Sequence, residues 1–246
     1  MILAGVLAFG VYAGVTALKR KYDLVDMVMF FFILSIGVLI GSHLLYALVH
    51  YENTVLVFKN IKQTGKINVI DIIFPGRMFL GGLIGTLVVG FIVVKKDNSY
   101  MKYFDIIAAG IPLFLFFAKI GCFLAGCCYG VQSKIGFRYY DSPLTEINDT
   151  TRFPVQLLES FFCLILFLYL NRLLIKNKFT NNLLYLYLLI YSAGRFFIEY
   201  LRGEAAGGIL FFVSASQIIS FLIILLVIIR FLILNKNHNN IKEILQ

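Results

Sequence analysis

Charged side chains are scarce in this chain. Asp, Glu, Lys and Arg together make up 14% of 246 residues, where a soluble domain carries roughly a quarter. That shortage excludes an ordinary soluble fold, and the 60% apolar content points to an integral membrane protein whose burial the bilayer supplies. Acidic residues are the rarer sign, 13 against 22 basic, for a formal charge of +9. No basic block and no RNA-binding motif accompanies that excess, so nucleic acid is not an expected partner. Basic residues scattered between apolar runs instead act as topology signals and meet anionic headgroups. No basic region precedes the apolar run at Met1 and no small-residue cleavage site follows it, so that run is expected to stay as a first helix. Internal repeats, low-complexity segments and linkers are also missing. Residues 1–246 therefore read as one domain, with the polar tail from Asn235 expected to fray.

The apolar runs predict an all-α membrane protein with seven spans, about Ile2–Leu18, Asp26–Val49, Met78–Val94, Phe104–Gly126, Val155–Leu174, Leu183–Leu201 and Ile209–Leu234. Most match the roughly 20 apolar residues of a bilayer crossing. Lys19, Arg20 and Lys21 follow the first span, Lys95, Lys96 and Lys102 the third, Arg172, Lys176 and Lys178 the fifth, and Arg230, Lys236 and Lys242 the seventh. Alternation puts all four segments on one side, which basic residues mark as cytoplasmic. The N-terminus is then outside and the C-terminus inside. The long connections 50–77 and 127–154 fall on the outer side.

The stretch that departs most from greasy helix is Lys119-Ile-Gly-Cys-Phe-Leu-Ala-Gly-Cys-Cys-Tyr-Gly130. It holds three of the four cysteines, and its three glycines allow backbone to turn sharply or approach a ligand. It reads as a helix end that opens into a site. Cys122, Cys127 and Cys128 allow a disulfide, a metal site or a reactive thiol. A zinc site wants more ligands, and the nearest histidines, His43 and His50, belong to another span. An outer location permits a disulfide of Cys122 with Cys127 or Cys128. Cys163, inside the fifth span, reads as a small buried apolar residue, and His238 in the tail carries no signal.

Three further segments place polar groups at span ends. Arg195 and Glu199, four apart, share a helix face within reach of each other. Ionisable groups inside a span are costly and mark function, with a buried structural ion pair as the competing reading. Arg202 and Glu204 lie near the membrane surface, where solvation also accounts for them. Arg152-Phe-Pro-Val-Gln-Leu-Leu-Glu159 opens the fifth span, with Pro154 in a first turn and Gln156 and Glu159 on one face; capping of a helix end at the interface competes with a site here. Phe74 to Gly85 opens the third span, where Gly81 and Gly85 have the spacing that lets two helices approach closely. Arg77 sits at phosphate depth. Lys119, Arg77, Arg195 and Arg152 are thus cations at the outer ends of four spans, the kind of set that holds a phospholipid headgroup.

Taken together, the segments from Phe74 to Glu204 resemble the prolipoprotein diacylglyceryl transferase family, seven-span bacterial membrane enzymes. The family's Gly-Arg-Ile-Gly-Asn-Phe-x-Asn-Gly-Glu-x-x-Gly is similar to Ala118–Gly130. Its His-Gly-Gly-Leu-Ile-Gly is similar to Leu80–Gly85, its Arg-x-Pro-x-Gln-Leu-Tyr-Glu to Arg152–Glu159, and its Tyr-x-x-x-Arg-Phe-x-x-Glu-x-x-Arg to Tyr191–Arg202. The resemblance implies transfer of the diacylglyceryl group of phosphatidylglycerol to a lipobox cysteine thiol, at the bacterial cell membrane and without a cofactor or metal. With the residue readings above, catalytic roles fall to Arg195 and Glu199 and, where a cysteine replaces a lost family group, to Cys122 and Cys127; substrate contacts fall to Lys119, Gly130, Gln156, Glu159, Arg77, Gly81, Gly82 and Arg202. The departures fall in the chemistry. Lys119 stands for the signature arginine and loses its bidentate fork, Cys122 for the asparagine, Cys127 for the acidic residue, and Leu80 for a histidine that could move a proton. An early tyrosine is replaced near Ala4. A transferase with an ordinary or altered acceptor, in one variant using its own cysteine in place of the lost base, is therefore the first reading. A thiol–disulfide or thiol-binding protein on the same scaffold, with a thiolate held by Lys119, is the second; a non-catalytic lipid-binding paralogue is the third.

Overall fold

The computed structural model describes residues 1–49, 51, 55, 79–140, 147–203 and 214–244. Its helices are α1 (Ile2–Lys19), α2 (Leu24–Val49), α3 (Phe79–Lys96), α4 (Met101–Ala125), α5 (Val155–Ile175), α6 (Leu183–Ile198) and α7 (Ala215–Ile244). Short 3₁₀ turns at Asn98–Tyr100 and Glu199–Leu201 extend α3 toward α4 and continue α6. Each expected apolar run thus contains a helix. Five helical segments are long and apolar enough to cross a membrane: Ile2–Lys19, Leu24–Leu48, Asn98–Ala125, Val155–Ile175 and Ser216–Ile233.

The other two runs come out shorter in effect. The helix of the sixth, α6, has 16 residues, about 24 Å of rise, because the chain tightens into a 3₁₀ turn at Glu199. The third keeps 18 residues but ends on Lys95 and Lys96. The tail expected to fray is helical to Ile244. A two-stranded antiparallel sheet, β1 (Gln132–Arg138) with β2 (Thr151–Arg152), forms in the connection between α4 and α5. Counting apolar runs could not anticipate this exception to an all-helical chain.

The chain divides into two compact units, Ala17–Met101 and Met1–Thr16 with Lys102–Gln246. In the first, α2 and α3 lie backbone against backbone. A side chain at Gly37 would meet the Gly85 carbonyl oxygen at 2.8 Å, and ones at Gly41, Gly81 and Gly85 would strike the opposite glycine's carbonyl outright. Four small residues on facing ridges thus replace a layer of side chains, the contact that lipid-embedded helices use in place of hydrophobic exclusion.

In the second unit α4, α5 and α6 share a core of Ala108, Ala109, Leu166, Leu170, Leu174, Leu183 and Tyr187. Helix α1 joins it through Phe9 and Tyr12, whose rings lie against Gly110, and through a Tyr12 hydroxyl that donates to Asn171 Oδ1 at 3.0 Å. The N-terminal turn of α6 is capped from a distance. Buried Asp105 of α4 accepts the backbone N–H groups of Asn181 at 2.6 Å and Leu183 at 3.2 Å, satisfying donors that a helix start leaves open. Arg230 of α7 stacks on Tyr185 of α6 at 4.0 Å. These contacts register α4, α5 and α6 at one end, so their opposite ends must also meet.

Gly41→Val is expected to destabilise the α2–α3 contact by about 1–3 kcal/mol through overpacking, read as a lowered melting temperature in detergent. Gly14→Ala, whose added carbon meets nothing within 4 Å, should leave melting unchanged or raise it slightly.

Candidate active site

Where α4, α5 and α6 meet at the end away from Asp105, five charged side chains interlock. Lys119, near the C-terminus of α4, places Nζ 2.8 Å from Glu159 Oε2. Glu159, on the second turn of α5, also accepts the Tyr191 hydroxyl of α6 at 3.3 Å and lies 4.0 Å from Arg195 Nε. Arg195 sits one turn beyond Tyr191, and its Nη2 is 2.6 Å from Glu199 Oε2. Glu199 lies 3.7 Å from Arg202 Nη1 and accepts the Ser214 hydroxyl at 2.9 Å. Ser216, near the start of α7, receives Arg195 Nη2 at 3.3 Å.

All five are withdrawn from solvent. The two carboxylates are 4% and 6% exposed, the three cations 12–15%. Fully desolvated charges persist only when paired, and the alternation of Lys119, Glu159, Arg195, Glu199 and Arg202 supplies the pairing. It is not complete. Arg195 Nη1 is buried without a hydrogen-bond partner among the described residues. Glu199 Oε2 is held by proximity of charge and not by an aligned hydrogen bond. Among the described residues three cations stand against two carboxylates, so this part of the cluster is short of negative charge and has a buried donor to offer. A phosphate monoanion or diester answers both needs.

Beside this cluster the chain after α4 folds into a tight cradle. Helix α4 ends in a Schellman turn: Gly126 N–H reaches the Phe123 carbonyl at 3.2 Å and Cys127 N–H the Cys122 carbonyl at 3.1 Å. Gly126 takes the left-handed φ of 70° that this ending requires. Gly130 then passes between two other strands of chain. Val131 N–H donates to the Leu201 carbonyl, Gly203 N–H to Tyr129, and Phe153 N–H to Val131, each at 3.0 Å. A side chain at Gly130 would strike the Phe153 carbonyl oxygen, so only glycine fits. Gln156 fastens the cradle to α5, its Nε2 donating to the Cys127 carbonyl at 2.9 Å.

The expected site residues divide accordingly. Lys119, Glu159, Arg195, Glu199 and Arg202 come together, with Gly130, Gln156, Cys122 and Cys127 adjoining them. Arg202 is 13% exposed, so the reading of it as a solvated surface residue is corrected. Arg152, expected as a headgroup cation, instead stacks on Tyr129 at 4.4 Å and donates to the Gly130 carbonyl at 3.3 Å. It holds the cradle. Gly81 and Gly82 lie in the other unit, where close packing on Gly41 and Val38 accounts for them. Arg77 and Glu204 lie outside the described residues.

Ser214, Ser216 and the hydroxyl of Tyr191 were not singled out from sequence. Serine ahead of a helix has an ordinary capping reading, and only the tertiary fold turns Ser214 and Ser216 onto Glu199 and Arg195. The thiolate expected at Lys119 is not supported, because Lys119 is engaged by Glu159. Burial also pushes the Cys127 thiol up from its ordinary value, which keeps it protonated near neutrality.

Comparison with known proteins gives one consistent answer. The family described as prolipoprotein diacylglyceryl transferase matches residues 1–233. The phosphatidylglycerol–prolipoprotein diacylglyceryl transferase of Clostridium tetani is 31% identical over 234 residues, covering 94% of this chain and 90% of that protein. A second protein of that name, numbered 2, from Clostridium perfringens is 34% identical over 153 residues, 61% of this chain and 59% of its own length. The Campylobacter jejuni protein is 27% identical over 220 residues, 86% and 78% respectively.

Removing the shared carboxylate should be costly. Glu159→Gln strands Lys119 in a poorly solvated site and is expected to destabilise the fold by about 3–5 kcal/mol. The double variant Lys119→Met, Glu159→Leu, which removes one charge of each sign, should recover part of that loss. Thermal unfolding in detergent measures both.

Proposed function

The chain belongs to the prolipoprotein diacylglyceryl transferase family, and we propose that it moves the diacylglyceryl group of phosphatidylglycerol onto the thiol of a prolipoprotein cysteine. The observation that carries this reading is the buried cluster of Lys119, Arg195 and Arg202 around two carboxylates, with Arg195 Nη1 lacking a partner among the described residues. The lipid phosphate takes the place of the missing negative charge. Arg195 and Lys119 hold it, Arg202 adds charge, Glu199 and Ser216 orient the arginine, and Glu159 spaces Lys119 from Arg195. Gly130 and Gln156 shape the wall against which the headgroup lies.

Chemically the step is a substitution at the glyceryl carbon that carries the phosphate ester. The acceptor sulfur, having given its proton to solvent, forms the C–S bond. The C–O bond to phosphate breaks, and glycerol phosphate leaves with the electron pair. Charge grows on the phosphate oxygen as that bond breaks, and cations fixed in a dry site stabilise it more than water would.

In this reading the chain crosses the bacterial cell membrane seven times, with its N-terminus outside. The shorter α3 and α6 count as crossings alongside the five longer helices. The cation cluster then lies near the outer surface, at headgroup depth, where a prolipoprotein cysteine arrives. The one-sided distribution of Lys19, Lys95, Lys176 and Arg230 supports that orientation.

The test supplies protein in detergent with phosphatidylglycerol radiolabelled in its acyl chains and a lipobox peptide. Label should appear on the peptide, Arg195→Ala should lower the rate about 100- to 1000-fold, and a peptide with serine for cysteine should accept nothing. Lipid binding without transfer would sink the transferase reading and leave a lipid-binding protein.

A further inference from the structure

The Schellman turn that ends α4 does more than stop the helix. It carries Cys127 back over the last turn, where its Sγ lies 3.7 Å from the Cys122 carbonyl oxygen. Cys128 adopts a left-handed φ of 54°, a conformation that residues with a side chain seldom take. The result is that the sulfurs of Cys122, Cys127 and Cys128 all lie within 4.8 Å of one another. None of the chain's cysteines is in a disulfide. Thiolates on a tetrahedral zinc, with bonds of about 2.3 Å, sit roughly 3.8 Å apart, so small side-chain rotations bring all three sulfurs onto one ion.

We propose that Cys122, Cys127 and Cys128 form a seat for a soft divalent cation of the zinc class, whose fourth position receives the acceptor thiol. Three features argue for it. Thiolates select soft and borderline cations over magnesium or calcium. Closed structural zinc sites use four protein ligands, whereas sites that bind a further molecule use three and keep a position open. Among the described residues this cluster supplies three donors. Its place is also apt: the Cys127 carbonyl accepts Gln156, and Cys122 follows Lys119 by one helical turn, so a sulfur on the fourth position stands beside the cation cluster.

The seat itself is independent of the transferase reading; the identity of its fourth ligand rests on it. Each protein thiol releases its proton to solvent as the cation enters, and so does the acceptor thiol. A metal-bound acceptor is then a thiolate at neutral pH. Its sulfur forms the C–S bond while the C–O bond to phosphate breaks, and the cation changes neither charge nor oxidation state. Glu159 and Glu199, both committed to cations, are not needed as bases.

The experiment has two readouts, neither of which is transfer. Reduced, chelator-treated full-length protein in detergent is titrated anaerobically with Cd²⁺, following the thiolate charge-transfer band. One equivalent per chain is expected, with affinity at least about tenfold weaker in Cys127→Ser and in Cys128→Ser and unchanged in Cys163→Ser. Then Co²⁺-loaded protein is mixed with lipobox peptide, or with its serine counterpart. The sulfur-to-cobalt band should grow by about one third as three thiolates become four, with the cysteine peptide only. Absence of a one-equivalent end point, equal binding by the serine variants, or a disulfide among these cysteines in freshly isolated protein overturns the seat. Metal binding with no response to the cysteine peptide overturns the open fourth position. A cobalt response to the cysteine peptide, with no label reaching that peptide in the separate lipid assay, would count against the transferase reading alone.

Discussion

One buried carboxylate organises the functional end of this protein. Glu159 projects from α5 between Lys119 of α4 and the Tyr191 and Arg195 face of α6. A carboxylate that is 4% exposed is tolerated only where counter-charge and donors converge on it, so three helices are bound to meet at this height. From there the alternation propagates. Arg195 needs Glu199, and Glu199 gathers Arg202 and the Ser214 hydroxyl. The low-dielectric surroundings that make the arrangement obligatory also make it strong, since each charge is felt more than it would be in water.

The rest of the second unit serves that height. Asp105 and the shared apolar core fix α4, α5 and α6 at the far end, and α1 braces them through Tyr12 and Asn171. Near the charged cluster, backbone replaces side chains as the building material. Gly126 reverses the chain, Gly130 threads between Phe153 and Leu201, and Gln156 and Arg152 pin the resulting cradle through carbonyl groups. Irregular backbone in an apolar protein survives when its polar groups are answered within the protein, as the N–H groups of Val131, Phe153 and Gly203 and the carbonyls of Cys127 and Gly130 are here.

For a protein of this family, such an end suits a reaction in which negative charge builds on a departing phosphate oxygen. Lys119 is held by a carboxylate of another helix, and Arg195 is gripped both by Glu199 one turn on and by groups of α5 and α7, so little reorganisation is left for the moment of bond breaking. Cys122 lies one helical turn from Lys119 in α4, and Cys127 and Cys128 open the cradle that follows the helix.

Membrane residence, helical character, the seven apolar runs and the family were all legible in the sequence, because they depend on composition and on motif order. Local spacing also placed Arg195 with Glu199 and Gln156 with Glu159, since helical periodicity alone brings residues three or four apart together. What only the tertiary structure decided is which of the many cations converge. Arg202 enters the cluster and Arg152 leaves it for Tyr129, because a 3₁₀ turn and a strand crossing set where each side chain points. Ser214 and Ser216 acquire their partners, and the three cysteines their common centre, in the same way. Such pairings join segments tens of residues apart, or turn on a single left-handed residue, and one-dimensional patterns of hydrophobicity and charge carry no record of either.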